Sequence, residues 1–152
     1  MKKFLCLALT VIMLIGIVPV GVLAADTTFD SSIIHFEDGT YMEVTIGEAS
    51  TRATNTKTGY KKYTFRNNKD EILWEATLSA TFTYNGTSSS CTSGSCSVSI
   101  SNNNWYVVSN STTRSGNTAT THLTMGKKFL GITIDKPEYT ITLTCDKNGN
   151  LS

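Results

Sequence analysis

The sequence predicts an all-β protein whose strands lie in two antiparallel sheets packed face to face. Three observations carry that expectation. From Trp74 to Tyr84 every even position (Trp74, Ala76, Leu78, Ala80, Phe82, Tyr84) is apolar or aromatic and every odd one (Glu75, Thr77, Ser79, Thr81, Thr83) is polar. Side chains two apart share one face of a strand, whereas a helix would scatter them round its axis. Beyond the apolar N-terminal run no segment holds a helical period, and turn signals such as Asp38-Gly39, Asn85-Gly86 and Ser115-Gly116-Asn117 recur between short apolar runs. A single open sheet cannot bury Trp74, Trp105, Phe82 and Phe129 together, so the expected architecture is an immunoglobulin-like β-sandwich of roughly seven to nine strands.

The N-terminus reads as a cleaved signal peptide. Met1-Lys2-Lys3 is followed by an apolar run from Phe4 to Val18, then Pro19, Gly21 and the small pair Ala24-Ala25. That is a basic n-region, an h-region and a cleavage point beside Ala24 or Ala25. A retained membrane anchor is the competing reading; Pro19 and Gly21 break the run where a peptidase needs extended chain. Cys6 stands at the start of the apolar run and not after it, so it is not a lipoprotein cysteine, and no hydrophobic tail follows Cys145. The expected location is extracellular. Residues 1–24 are assigned to the signal, 25–58 to an N-terminal hairpin and linker, and 59–152 to the main sandwich, with 25–152 forming one domain. Losing Lys2 and Lys3 leaves 11 basic against 12 acidic residues. A net charge near −1 offers no field for nucleic acid, and no membrane partner is expected after cleavage.

Along the chain, residues 26–32 are polar and are expected to be loose. Ile34 and Phe36 share parity with Met42, Val44 and Ile46 across Glu37-Asp38-Gly39, so a three-residue loop with Gly39 in the left-handed region puts all five on one face. Gly47 to Gly59 has no period and reads as a linker; Arg52 within it is a candidate processing site weighed against an ordinary exposed loop. Tyr60–Arg66 is a strand, and an even loop at Asn67–Asp70 would set Phe65 opposite Ile72 and Tyr63 opposite Trp74. After Asn85-Gly86 a polar stretch reaches Ser95, and Cys96, Val98 and Ile100 alternate as the next strand, with Cys96 opposite Tyr84. Trp105 and Val107 are expected inward and Tyr106 outward. Ala119, Thr121, Leu123 and Met125 alternate; Phe129–Ile134 continues as strand beyond a break at Gly126, until Asp135-Lys136-Pro137 ends it. Tyr139, Ile141, Leu143 and Cys145 make the last inward set.

Candidate chemistry is sparse. His35 and His122 are the chain's histidines, and no Gly-x-Ser-x-Gly elbow accompanies its many serines. Glu75 stands alone on a wet face, and Asp70-Glu71 sits in a turn, so paired carboxylates are not expected. Asp146-Lys147-Asn148-Gly149-Asn150 begins like a calcium loop but lacks its later ligands, and a terminal turn is the expectation. No cofactor, metal or catalytic set is expected. Tyr60, beside Lys61 and Lys62, and Tyr106 are candidates for an aromatic surface that binds sugar or peptide. Cys91, Cys96 and Cys145 survive cleavage, an odd count that gives one bridge and a spare thiol, or no bridge at all. A bridge from Cys91 or Cys96 to Cys145 would close a loop of about 50 residues, worth about 4 kcal/mol. Strand parity favours Cys96, and a Cys91–Cys96 bridge would staple only a short loop.

Ala76-Thr77-Leu78 leading to Thr81-Phe82-Thr83-Tyr84-Asn85-Gly86, then Ser115–Ala119 and Leu143–Gly149, resemble small secreted proteins of Gram-positive bacteria that carry no assigned function. The likeness covers roughly Lys57 to the C-terminus and rests on strand and turn sequence, so it implies a shared fold. It also implies Cys91–Cys145 as the disulfide. Together these readings lead to two expectations. One is a secreted, non-enzymatic protein that binds an envelope or extracellular glycan or protein. The other is a bacteriocin-like or toxin protein directed at competing bacteria.

Overall fold

The computed structural model describes residues 27–49 and 55–152, with side chains from residue 30 onward. Nine strands form among them: β1 (Thr27–His35), β2 (Tyr41–Ala49), β3 (Thr56–Arg66), β4 (Ile72–Tyr84), β5 (Ser89–Ile100), β6 (Trp105–Ser115), β7 (Thr118–Phe129), β8 (Ile132–Asp135) and β9 (Glu138–Thr144). The first sheet runs β1-β2-β3-β4-β5; in the second, β6 pairs one side of β7, while β8 and β9 share its other side. All pairings are antiparallel. Each sheet is filled in chain order as a meander, without the interleaved strand order of an immunoglobulin domain.

The core follows from parity. Trp74, Ala76, Leu78, Ala80 and Phe82 of β4 are buried, and across from them lie buried Ala119, Leu123 and Met125 of β7 and Ile141 and Leu143 of β9. Thr121 is buried on the same stripe, its hydroxyl 2.8 Å from that of Thr112. The predicted faces of β2, β4, β7 and β9 therefore hold. Threonine on the outward faces pairs across strands, as in Thr58–Thr81 at 3.0 Å and Thr118–Thr144 at 3.2 Å. The β1–β2 turn also matches: Gly39 has φ +80°, and Phe36 and Thr40 close a three-residue loop by Phe36 N–H donating to the Thr40 carbonyl at 2.9 Å.

Six details differ from the sequence reading, each for a physical reason. Residues 27–32 are strand, not loose chain, because an edge strand needs only the β2 backbone, and the side chains of Asp30, Ser31 and Ser32 stay wet. Much of the expected linker is also strand: β2 reaches Ala49 and β3 begins at Thr56, joined at Ala49↔Thr58 and by the Lys57–Glu48 ion pair at 3.0 Å. In β3–β4 a bulge follows Phe65, so Phe65 faces Trp74 and Tyr63 faces Ala76. The aromatic pair survives with a different partner, Phe65 stacking on Trp74 at 5.4 Å. The serine-rich run is strand from Ser89, which pairs Cys96 with Leu78 rather than Tyr84. Its small side chains suit a place where the sheets close in; a Cβ on Gly94 would lie 3.3 Å from that of Ala119. Finally, β7 runs unbroken through Gly126 and reverses at Leu130-Gly131, where φ is +50° and +82°. Two residues with positive φ make a tight hairpin turn. Along β6, Trp105 is buried as expected, but a bulge after Val107 leaves Val107 and Val108 exposed.

Candidate functional site

A meander brings alternate turns to the same end. The turns after β1, β3, β5 and β7 therefore share one end of the sandwich, and the aromatic residues beside them converge there. Phe65 stacks on Trp74, meets Trp105 edge-on at 5.4 Å, and contacts Phe36 at 5.7 Å. Tyr139 stands edge-on to Trp74 at 5.0 Å. Trp74 is fully buried, whereas Phe36, Phe65, Trp105 and Tyr139 line an open cleft of about 540 Å³, within the range of about 300–1,000 Å³ common for ligand sites.

Glu37, Asp38, Asp135 and Glu138 put carboxylates on the wall of this cleft, with Lys127 among them. The Lys127 ammonium lies 5.7 Å from the centre of the Trp105 ring, in cation–π range. The hydroxyl and amide of Thr40 donate to Asp38 and hold its carboxyl below the usual range, with the Lys127 charge adding to the effect. Burial, reinforced by the negative charges of Asp135 and Asp38, pushes the Tyr139 phenol up to about 12. Tyr139 thus keeps its proton across the neutral range and stands as a donor beside acceptors. A rigid aromatic floor with carboxylate acceptors and one phenolic donor can stack a flat or ring-shaped ligand and hydrogen-bond its edge.

The residues singled out from sequence lie elsewhere. Tyr60 of β3 pairs with Gly47 of β2, and Tyr106 of β6 with Gly126 of β7; a Cβ on either glycine would fall within 2.3 Å of the tyrosine ring. Both rings cover strand glycines instead of forming a joint platform. The Tyr106 hydroxyl bonds Thr133 at 2.8 Å, and Lys128 sits over its ring at 4.6 Å. His35 lies beside Tyr41 in the first hairpin. His122 is exposed on the outer face of the second sheet, while Glu75, held ionised by Lys62, faces out from the first. Asp70 and Glu71 stay in the β3–β4 turn. Asp146 caps its own turn, accepting from the amides of Asn148 and Asn150 at 2.8 Å each. Among the described residues no group of three His, Cys, Asp or Glu side chains is placed to hold a metal.

The cysteines require a correction. Cys91, Cys96 and Cys145 are all free thiols, so neither the Cys91–Cys145 bridge nor the Cys96 alternative forms. Pairing explains the second: on β5, Cys96 faces Leu78, well away from the Cys145 end of the sheet. Cys91 and Cys145 come closer, their amides donating to the adjacent carbonyls of Gly116 and Asn117, but each sulfur turns to a backbone carbonyl, Cys91 to Ser93 and Cys145 to Asp146. Burial raises all three thiols, which keeps them protonated. Arg52, Ala24 and Ala25 lie outside the described residues.

No family model, curated protein or solved structure matches the chain. The cleft residues Phe36, Phe65, Trp105 and Tyr139 were not singled out from sequence. A usable signal was present: Phe36, Phe65, Trp74 and Trp105 each flank a turn, and those turns share an end once the strands are read as a meander.

Proposed function

We propose that the protein is exported, loses residues 1–24, and acts outside the cell as a non-enzymatic binding protein whose ligand is a glycan of the cell envelope. One observation carries this reading: aromatic rings and carboxylates converge in the open cleft at the end of the sandwich. Ring faces stack on the apolar faces of sugars, and carboxylates accept from their hydroxyls. The raised thiols and the opposite-facing His122 and Glu75 support a binding role over catalysis. The sequence resemblance to secreted proteins of Gram-positive bacteria agrees with it. The test is retention of the chain from residue 25 on purified cell wall, followed by tryptophan emission during titration with soluble wall fragments. Replacing Phe36 and Glu138 together by Ala should weaken binding at least tenfold. No retention, or retention the double variant leaves unchanged, overturns the reading. A second reading, antagonism of competing bacteria, is favoured by the exposed apolar hairpin beside the cleft; growth inhibition by the purified chain would establish it.

A further inference from the structure

We infer that the β7–β8 hairpin is a membrane-docking element, which inserts its tip into the interfacial layer of a bilayer containing anionic lipid. Phe129, Leu130, Ile132 and Ile134 are 63%, 86%, 71% and 57% exposed, the largest apolar exposure concentrated in one element among the described residues. Phe129 and Ile132 are the last cross-strand pair, and Leu130 occupies the turn itself. At φ +50° Leu130 adopts a backbone that Asn, Asp or Gly takes at lower cost. Neither packing nor turn chemistry accounts for a leucine there. Insertion into an apolar phase does.

The base of the hairpin supplies the second half of an interfacial device. Within the hairpin segment Lys127, Lys128 and Lys136 stand against Asp135; Glu37, Asp38 and Glu138 lie on the cleft side with Lys127, so Lys128 and Lys136 are the cations offered to headgroups. Lys128 lies over the half-buried Tyr106 ring, so an ammonium group and an amphipathic ring share one level behind the apolar tip, while Lys127 lies over the buried Trp105. Lysine stems reaching toward headgroups, with a tyrosine at the boundary, form the usual interfacial arrangement. Two residues separate the Lys128–Thr133 pair from the turn. At about 3.3 Å per residue that is roughly 7 Å, which fits an insertion depth of about 5–10 Å. A second copy of this chain is a poorer occupant, since tip-to-tip packing would bring the two sets of lysines together. The expectation of no membrane partner rests on net charge, an average that hides this local arrangement. The ligand of the cleft does not enter this inference.

The test uses the chain from residue 25, which contains every described strand. It is floated with vesicles of phosphatidylcholine alone and with about a third phosphatidylglycerol. Binding is expected only with the anionic lipid and should fall as salt rises. The exposed triple variant Phe129→Ser, Leu130→Ser, Ile132→Ser should lose at least tenfold in partitioning while its circular dichroism stays unchanged. In a separate variant, Leu130→Trp, tryptophan emission should shift to the blue on vesicles. Failure to float, equal flotation of the serine variant, or an unshifted Leu130→Trp emission overturns the inference. So does a concentration-dependent dimer that the serine substitutions abolish in the absence of vesicle binding.

Discussion

Trp74 has no exposed surface and packs against Phe65, Trp105 and Tyr139, and its indole N–H has no acceptor among the described residues. Truncating it removes the ring that supports the cleft floor. Trp74→Ala should cost about 3–5 kcal/mol in urea unfolding. Trp74→Phe should cost clearly less, because it also removes a buried donor whose lack of a partner is worth about 1–3 kcal/mol. Tyr139 gives a pH prediction. Its folded phenol holds the proton up to about 12, against 10.0 for an unperturbed tyrosine. The folded state thus binds the proton more tightly, so this contribution is complete below pH 10 and is lost as pH rises from 10 to about 12. Absorbance at about 295 nm should show a late-titrating phenol that Tyr139→Phe removes, with alkaline unfolding shifted to higher pH. At this scale much was legible. The inward parity of Leu78, Leu123 and Ile141 follows from alternation alone, because period-2 burial is a local property. The pairing of cysteines was not legible, because it depends on where sulfurs point after registers are set.

At the scale of the strand and hairpin, the Tyr106–Gly126 pair shows why a glycine inside β7 is tolerated: the ring lies where a side chain would be. Gly126→Ala must displace that ring and the Tyr106–Thr133 hydrogen bond. A loss of about 1–3 kcal/mol is expected in thermal or denaturant unfolding. The same substitution in a Tyr106→Ala background should cost less, since the obstacle is gone. Strands β4, β7 and β9 were readable because each has one dry and one wet face. The first half of β5, Ser89–Ser95, was not, because serine and glycine carry no amphipathic contrast. Phe129–Ile134 read as one strand, and the reversal into β8 escaped notice because Leu130-Gly131 lacks the Asn-Gly or Asp-Gly signature of a tight turn. The β3–β4 register slipped by a bulge, which no alternation pattern announces.

At the scale of the molecule, no covalent cross-link ties the two sheets among the described residues. The unfolding temperature of the chain from residue 25 should therefore be the same with and without dithiothreitol. Its denatured form should react with three equivalents of a thiol reagent, and in the native form buried Cys91 and Cys145 should react far more slowly. A shift with reductant, or fewer than three thiols, would contradict the structure. The two-layer architecture was legible because Trp74, Phe82 and Trp105 demand two covered faces; Phe129, expected with them, is exposed. The cleft was not, because it depends on which turns share an end. The close approach of Gly94 to Ala119 has a consequence for that opening. Midway along the sandwich the layers are separated by little more than a hydrogen and a methyl group, whereas at the turn end Phe65, Trp74, Trp105 and Tyr139 prop them apart. The layers thus have a thin part at the small residues of β5. Widening that thin part would alter the angle of the jaws, so a mutation among the serines and glycines of β5 can change what the distant mouth accepts.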